Sequence, residues 1–279
     1  MPEAKFEPIV PKEALDYMKD KTFAFGFDYR DVWKEEHAVA FTVAKAMRAD
    51  VLASIKTAVE TAIAKGQSFE EFQQNLEPEL VRLGWWGKQK MQDPLTGKLK
   101  EVTLGTPRRL KIIYETNLAQ AYHCGEWQRF ENVKKYFPAL KYLTRNPLKA
   151  RPAHRQWHNR VFAVDDPFWD EWMPLNGWNC HCRVIQVPRE DIKQGKVKVE
   201  PTPSYEKTAW FNKRTGKTEI IPKGIDPGFN YNVGKARAKA ITPTPNEQGS
   251  FKFAKDLKQP PMPEASKLPE GLVLPRSEE

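Results

Sequence analysis

The spacing of apolar residues changes character once along this chain, and that change limits the fold more than any other feature. As far as about residue 135, apolar side chains recur every three or four positions, the repeat of a helix with one buried face. From Leu140 onward they fall into short runs separated by loops rich in Trp, Pro, Asp and Asn, which is how the strands of a small sheet read. The two patterns follow one another rather than alternate, so they predict an α+β fold: a helical N-terminal part, then a small mixed α/β module with a short antiparallel sheet, and an extended C-terminal tail. The expected divisions are an extended arm over residues 1–27, a helical domain over 28–135, a β-containing module over 136–241 and a Pro-rich extended tail over 242–279.

Asp28 or Asp31 can cap a first long helix, because Trp33, His37, Ala40, Phe41, Ala44, Met47, Val51, Ile55, Val59 and Ile63 continue at helical steps until Gly66. His37 lies on that apolar stripe, where a buried, hydrogen-bonded role is expected. Ser68 with Glu71 forms a capping box for a second helix carrying Phe69, Phe72, Leu76, Leu80 and Leu83. Pro78 should kink or divide it. DPLTGK at 93–98 is turn chemistry suited to a hairpin tip. Thr106 before Pro107 starts a third helix, whose stripe of Leu110, Ile113, Tyr114, Leu118, Ala121, Tyr122 and Gly125 is interrupted only by Asn117. Strands are expected at 140–144, 160–164, 182–187 and 218–222. The tail holds seven prolines between Pro243 and Pro275 and almost no periodicity, the composition of a segment ordered only against a partner.

With 279 residues the chain can build one large or two small hydrophobic cores. No window offers the roughly 18 uncharged apolar residues that span a bilayer, and the first twenty residues carry acids and no continuous apolar run, so neither membrane insertion nor a secretory signal is expected. Three cysteines, Cys124, Cys180 and Cys182, are too few for a disulfide scaffold and suit free thiols or metal ligands. The net charge of +9 is concentrated: residues 101–160 hold twelve Lys or Arg against four acids, whereas 161–180 hold four acids and no Lys or Arg. A basic surface of that kind could neutralise phosphates without reading sequence, or could be a solvated helix face. Its candidate DNA-binding residues are Arg108, Arg109, Lys111, Arg129, Lys134, Lys135, Lys141, Arg145, Lys149, Arg151 and Arg155.

The most informative block is RNPLKARPAHRQWHNRVFAVDDPFWDEWMPLNGWNCHCR, from Arg145 to Arg183. Its R-x-x-H stretch (Arg151 to His154), its DDPFW segment (within Val161 to Trp169) and its P…G-x-NC-x-C segment (Pro174 to Cys182) resemble the phage Mu F-like minor head protein family. The helix RRLKIIYETNLAQAYHCG at 108–125 and GIDPGFNYNVG at 224–234 extend the resemblance to roughly residues 30–235. One departure is visible: the family usually has Cys-Arg-Cys, and this chain has Cys180-His181-Cys182. The resemblance implies a minor head protein of a tailed bacteriophage, made in the host cytoplasm and present in few copies in the capsid interior near the portal vertex. It implies action in head morphogenesis and DNA packaging or delivery, with the portal protein and/or the major capsid protein and non-specifically bound double-stranded DNA as partners. It implies no known reaction, and an extra enzyme domain after residue 242 is not expected.

Within the block, His154, His158, Cys180 and Cys182 follow the spacing H-x3-H-x21-C-x-C, a nitrogen and sulfur set suited to a structural Zn2+. The bland reading makes both cysteines small buried hydrophobes, with His154 bonded to Asp165 or Asp166. No cofactor is otherwise indicated. An enzymatic alternative is a metal-dependent hydrolase or nuclease built on His154, His158, Asp165 and Asp166. The acids alternate with Pro, Phe and Trp, which suits helix capping and pairing with Arg151, Arg155 or Arg160 better than catalysis, and no recognisable catalytic motif is present. Of Trp157, Phe168, Trp169, Trp172 and Trp178, most should fill a core, with two or three left for a protein contact.

Overall fold

The computed structural model describes residues 10–241, 243–245 and 251–253. The observed class is α+β. One helix organises it. α4 (Pro107–Val133) starts where Thr106 accepts the Arg109 amide through its hydroxyl, with Pro107 in the first turn. Its Leu110, Ile113, Ala121 and Cys124 enter one hydrophobic core, while Trp127 and Phe130 enter a second. α4 is thus the spine shared by the helical part and the β-containing module.

The first core is built on α1 (Lys12–Lys19), α2 (Ala49–Lys65) and α3 (Phe69–Arg82), each packing on α4. α1 falls within the stretch where an extended arm was expected; its Ala14, Tyr17 and Met18 are buried. It approaches α4 closely because Gly125 has no side chain: a Cβ there would lie 3.0 Å from the Glu13 Cβ. α2 buries Val51, Leu52, Ile55, Val59, Ala62 and Ile63, the expected stripe. The helix is nevertheless shorter than its stripe. Residues 34–38 form a 3-10 turn, and β2 (Ala40–Phe41) pairs in parallel with β1 (Thr22–Phe23). Lys34 and Lys45 take φ values of 48° and 68°, which no continuous α-helix accommodates. The Trp33 to Met47 spacing therefore reflects burial of individual residues in a turn and a strand, which can imitate a helical repeat over a few positions.

α3 opens with the expected capping box, the Glu71 amide donating to Ser68 Oγ and the Ser68 amide to the Glu71 carboxylate. Pro78 does not divide it: Pro78 lies on the exposed face and the helix continues to Arg82. β3 (Lys88–Gln92) and β4 (Leu99–Thr103) form an antiparallel hairpin around the 93–98 turn.

In the second core a three-stranded antiparallel sheet has the order β6-β5-β7, with β5 (Ala139–Leu143) between β6 (Val161–Ala163) and β7 (Arg183–Val187). The fourth expected strand, β9 (Lys217–Pro222), instead forms a separate hairpin with β8 (Lys207–Asn212). Short helices α5 (Pro152–Arg155), α6 (Phe168–Trp172) and α7 (Arg189–Lys193) lie in the connections. α8 (Val233–Ile241) returns to pack on α4. Trp157, Phe168, Trp169 and Trp172 are buried, so of the five block aromatics only Trp178 reaches the surface. Each buried ring is worth about 1.5–3 kcal/mol of transfer free energy, enough to make this cluster the mainstay of a small module. Of the expected tail, β10 (Pro243–Pro245) and β11 (Phe251–Phe253) pair antiparallel, and its remaining residues lie outside those described.

Candidate functional site

α5 and the turn leading into β7 bring three of the four candidate ligands together. His154 lies in α5; Cys180 and Cys182 lie just before β7, after a turn in which the Cys180 amide donates to the Gly177 carbonyl and Asn179 takes a φ of 55°. The His154 imidazole, Cys180 thiol and Cys182 thiol are all buried, and their ligand atoms lie within 4.8 Å of one another. His154 Nδ1 is 3.8 Å from Cys180 Sγ and 3.6 Å from Cys182 Sγ.

The other imidazole nitrogen defines the tautomer. Nε2 lies 2.9 Å from the Gly224 carbonyl oxygen, which can only accept, so Nε2 carries the hydrogen and Nδ1 presents its lone pair to the sulfurs. An imidazole oriented by a backbone carbonyl on one nitrogen and free on the other is the arrangement found at metal-ligating histidines. The Cys180 thiol is held below the usual thiol range chiefly by hydrogen bonding to Cys182, against burial. Buried Tyr142, whose hydroxyl donates to Asn176 Oδ1 at 2.9 Å, lies against the same sulfurs.

His158 is not brought in. Its Nδ1 accepts the Thr144 amide at 3.0 Å, tying the turn after α5 to the residue that follows β5, and it is absent from the cluster of ligand atoms. The expected set of four is therefore a set of three. Helical spacing placed His154 and His158 on one face only if a full helix continued through 158, whereas α5 ends at Arg155.

The carboxylates of the block serve other purposes. Asp166 is buried, with one oxygen accepting the Phe168 amide at the start of α6 and the other accepting Thr202 Oγ1. Asp165 is exposed beside Lys134, Asp170 pairs with Lys235, and Glu171 pairs with Lys207. The capping expectation stands, but the partners are lysines rather than Arg151, Arg155 or Arg160. Among the described residues, neither Asp165 nor Asp166 joins His154 and His158 in a cluster that could hold a metal.

The basic stretch does not form one surface. α4 is 27 residues long, about 40 Å at roughly 1.5 Å per residue, so Arg108 and Lys111 are a helix length away from Lys134 and Lys135. Arg109 is committed internally: it donates to the carbonyls of Thr103, Leu104 and Ala44 and lies over the Trp85 ring. Arg129 pairs with Glu13, Lys111 with Glu115, and Lys134 with Glu131 and Asp165. Arg155 donates to the Leu148 and Ala150 carbonyls. Lys141 is half-buried in β5.

Around the thiol–imidazole cluster the situation differs. Two adjoining depressions share Thr144, Arg145, Cys180, His181 and Cys182; one adds Lys149 and Arg151, the other Arg183. Arg145, Lys149 and Arg183 have no carboxylate partner among the described residues. Arg151 is positioned by Asp226 at 3.0 Å and by the Trp178 carbonyl at 2.8 Å, and His181 is exposed beside them. Arg183 was not singled out from sequence, because it lies beyond the basic stretch, at the first position of β7 next to Cys182.

The segment 224–234 also proves to belong to the site. Gly224 supplies the carbonyl for His154, Asp226 accepts from both Arg151 and the Trp178 amide, and Asn232 donates to the Trp169 carbonyl while accepting the Gly234 and Lys235 amides at the start of α8. The polar residues of GIDPGFNYNVG were the available signal; the partners that tie the segment to the site lay 48 to 75 positions away.

The chain that builds this buried thiol–imidazole cluster is similar in sequence to a known class of phage proteins. The family model described as "Phage Mu protein F like protein" matches residues 53–185. The chain is 37% identical over 243 residues to the protein of Escherichia phage Mu named "Putative capsid assembly protein F", covering 81% of this chain and 54% of that one. It is 37% identical over 223 residues to the Mu-like prophage FluMu F protein of Haemophilus influenzae, covering 73% of this chain and 52% of that one. This chain is a Mu F-like phage protein. It spans about half the length of these curated relatives. No solved structure matches it. Among the described residues, no helix is long and apolar enough to cross a membrane.

Proposed function

We propose that this chain acts in phage head morphogenesis as a minor head protein in the capsid interior near the portal vertex, meeting the portal protein and/or the major capsid protein. It contacts packaged or exiting double-stranded DNA non-specifically, and its role is structural rather than enzymatic. The observation that carries the assembly role is the likeness, over most of this chain, to a phage Mu protein whose name is that of a capsid assembly protein. The DNA contact is supported by Arg145, Lys149 and Arg183, cations without carboxylate partners among the described residues, grouped with Arg151 and His181 around two adjoining depressions. Phosphates bound there would release counterions, so affinity should fall steeply with salt.

Disrupting the gene in its phage should leave heads unassembled or unfilled, and normal filled heads would refute the assembly role. Duplex DNA binding by the purified chain, compared between about 50 and 200 mM salt, should weaken by an order of magnitude or more for several phosphate contacts. Binding of equal strength at both would eliminate the DNA contact. A supercoiled plasmid left intact with Mg2+, Mn2+ or Zn2+ is the result expected of a non-enzymatic protein, and metal-dependent cutting lost in His154→Ala would favour the hydrolase reading instead.

A further inference from the structure

We propose that His154, Cys180 and Cys182 bind one zinc ion through three protein ligands, leaving its fourth coordination position open to the basic depression. The geometry carries this. Zinc bonds of about 2.3 Å to thiolate sulfur and about 2.0–2.1 Å to imidazole nitrogen, at tetrahedral angles, place nitrogen and sulfur about 3.5–3.6 Å apart. The two nitrogen–sulfur separations are 3.6 and 3.8 Å. The ligand edge of a zinc tetrahedron is already present, with all three ligand atoms buried.

The chemistry fits as well. Two thiolates and a neutral imidazole around Zn2+ carry no net charge, so the occupied site places no uncompensated charge in the interior. The imidazole is already in the tautomer a ligand needs, because the Gly224 carbonyl takes the Nε2 hydrogen. Binding displaces the thiol protons to solvent, and no oxidation is involved.

The fourth position separates this proposal from a closed structural site. His158 is held by the Thr144 amide, and His181, between the two cysteines, points its exposed side chain outward. Both depressions reach the cysteine pair from outside, past Thr144 and Arg145. Water or a small anion therefore completes the coordination, and the surrounding cations favour an anion.

The test uses the whole chain purified with a reductant. Elemental analysis should find one zinc per chain, released on titrating the thiols with a mercurial reagent. Co2+ exchanged into the site should give thiolate charge-transfer absorption and the visible bands of a four-coordinate ion, and azide or phosphate should shift those bands. His158→Ala should retain one zinc, while His154→Ala and Cys182→Ser should lose it. A metal content near zero both after purification and after Zn2+ reconstitution would overturn the proposal, using wild-type protein alone. Co2+ bands unmoved by any anion, or loss of zinc from a folded His158→Ala variant, would overturn the open three-ligand site. All of these readouts are independent of DNA binding and assembly, so their failure is distinct from failure of the proposed function.

Discussion

His154 donates its Nε2 hydrogen to the carbonyl of Gly224 at 2.9 Å, across 70 positions of sequence. The contact is possible because Gly224 has a φ of +106°, a conformation that L side chains rarely adopt, and because a Cβ there would collide with the Cβ of Ala153. Gly224→Ala therefore meets strain and overlap together. It should cost about 1–3 kcal/mol, measured as a lowered denaturation midpoint, and should move the His154 ring resonances in NMR. An unchanged midpoint would show that the loop can reposition freely.

Arg214 joins three distant segments. Its guanidinium donates to both carboxylate oxygens of Asp93, at 2.8 and 2.7 Å, and to Asp31 at 2.5 and 2.9 Å. Burial would raise the Asp93 carboxyl, but the hydrogen bonds from Arg214 and Lys100 hold it well below the usual carboxylate range. Because the folded value is depressed, this stability is present above the unfolded carboxyl value near 3.9 and is lost as pH falls through the folded one. Arg214→Ala should destabilise by about 1.5–3 kcal/mol, since it leaves the buried Asp93 carboxylate with Lys100 as its remaining cation, and Asp93→Asn should flatten the acid limb of the stability curve. Arg214→Ala with wild-type stability at neutral pH would contradict this.

Lys21 predicts a slope of the same sign in a different pH window. It is buried, with its ammonium 4.4 Å from the centre of the Tyr17 ring, and burial pushes its value down to about 7, Arg237 and Lys56 adding to the effect and Cys124 opposing it. Here the folded state releases a proton that the unfolded chain keeps up to about pH 10.4. Stability should thus rise from about pH 7 toward pH 10, by up to roughly 1.4 kcal/mol per pH unit, and fall again to its lower plateau as pH drops through 7. Lys21→Met should remove that slope and be at least as stable at neutral pH. Denaturant titrations of both proteins at pH 7 and pH 9 would settle it.

The eleven candidate cations should separate into classes when substituted. Arg145→Ala and Lys149→Ala should each weaken duplex binding and reduce its salt slope by about one, with unchanged melting temperature. Arg109→Ala should do the reverse, because its guanidinium bonds three backbone carbonyls and lies over the Trp85 ring. If Arg109→Ala leaves stability untouched and abolishes binding, the assignment of these residues is wrong.

Cys124 is a core residue of α4 whose thiol burial pushes up to about 12, so it should resist alkylation by neutral maleimides at pH 7 in the native state and react only on unfolding. Rapid native labelling of Cys124, read by mass spectrometry, would show that α1 and α8 do not stay closed over it.

Local interactions were legible in the order of residues. The Ser68–Glu71 capping box, the Thr106–Pro107 helix start and the 93–98 hairpin turn each depend on neighbours a few positions away, and the strands β5, β6, β7 and β9 show in their own short apolar runs, although the partners that β5, β6 and β7 pair with lie far along the chain. The motif that relates this chain to phage Mu F was equally legible, as were three of the four suggested ligands. Only tertiary structure decided what required distant partners. It delayed the start of the first long helix to Ala49, after Arg48, because Lys34 and Lys45 turn the chain so that Phe41 can pair beside Phe23. It excluded His158 from the cluster by giving its nitrogen to Thr144, supplied Gly224 to orient His154, and divided the basic stretch between internal hydrogen bonds and an open surface. Backbone periodicity is set by interactions over one or two turns, whereas the hydrogen-bond partner of a buried polar group is chosen by packing across the whole chain.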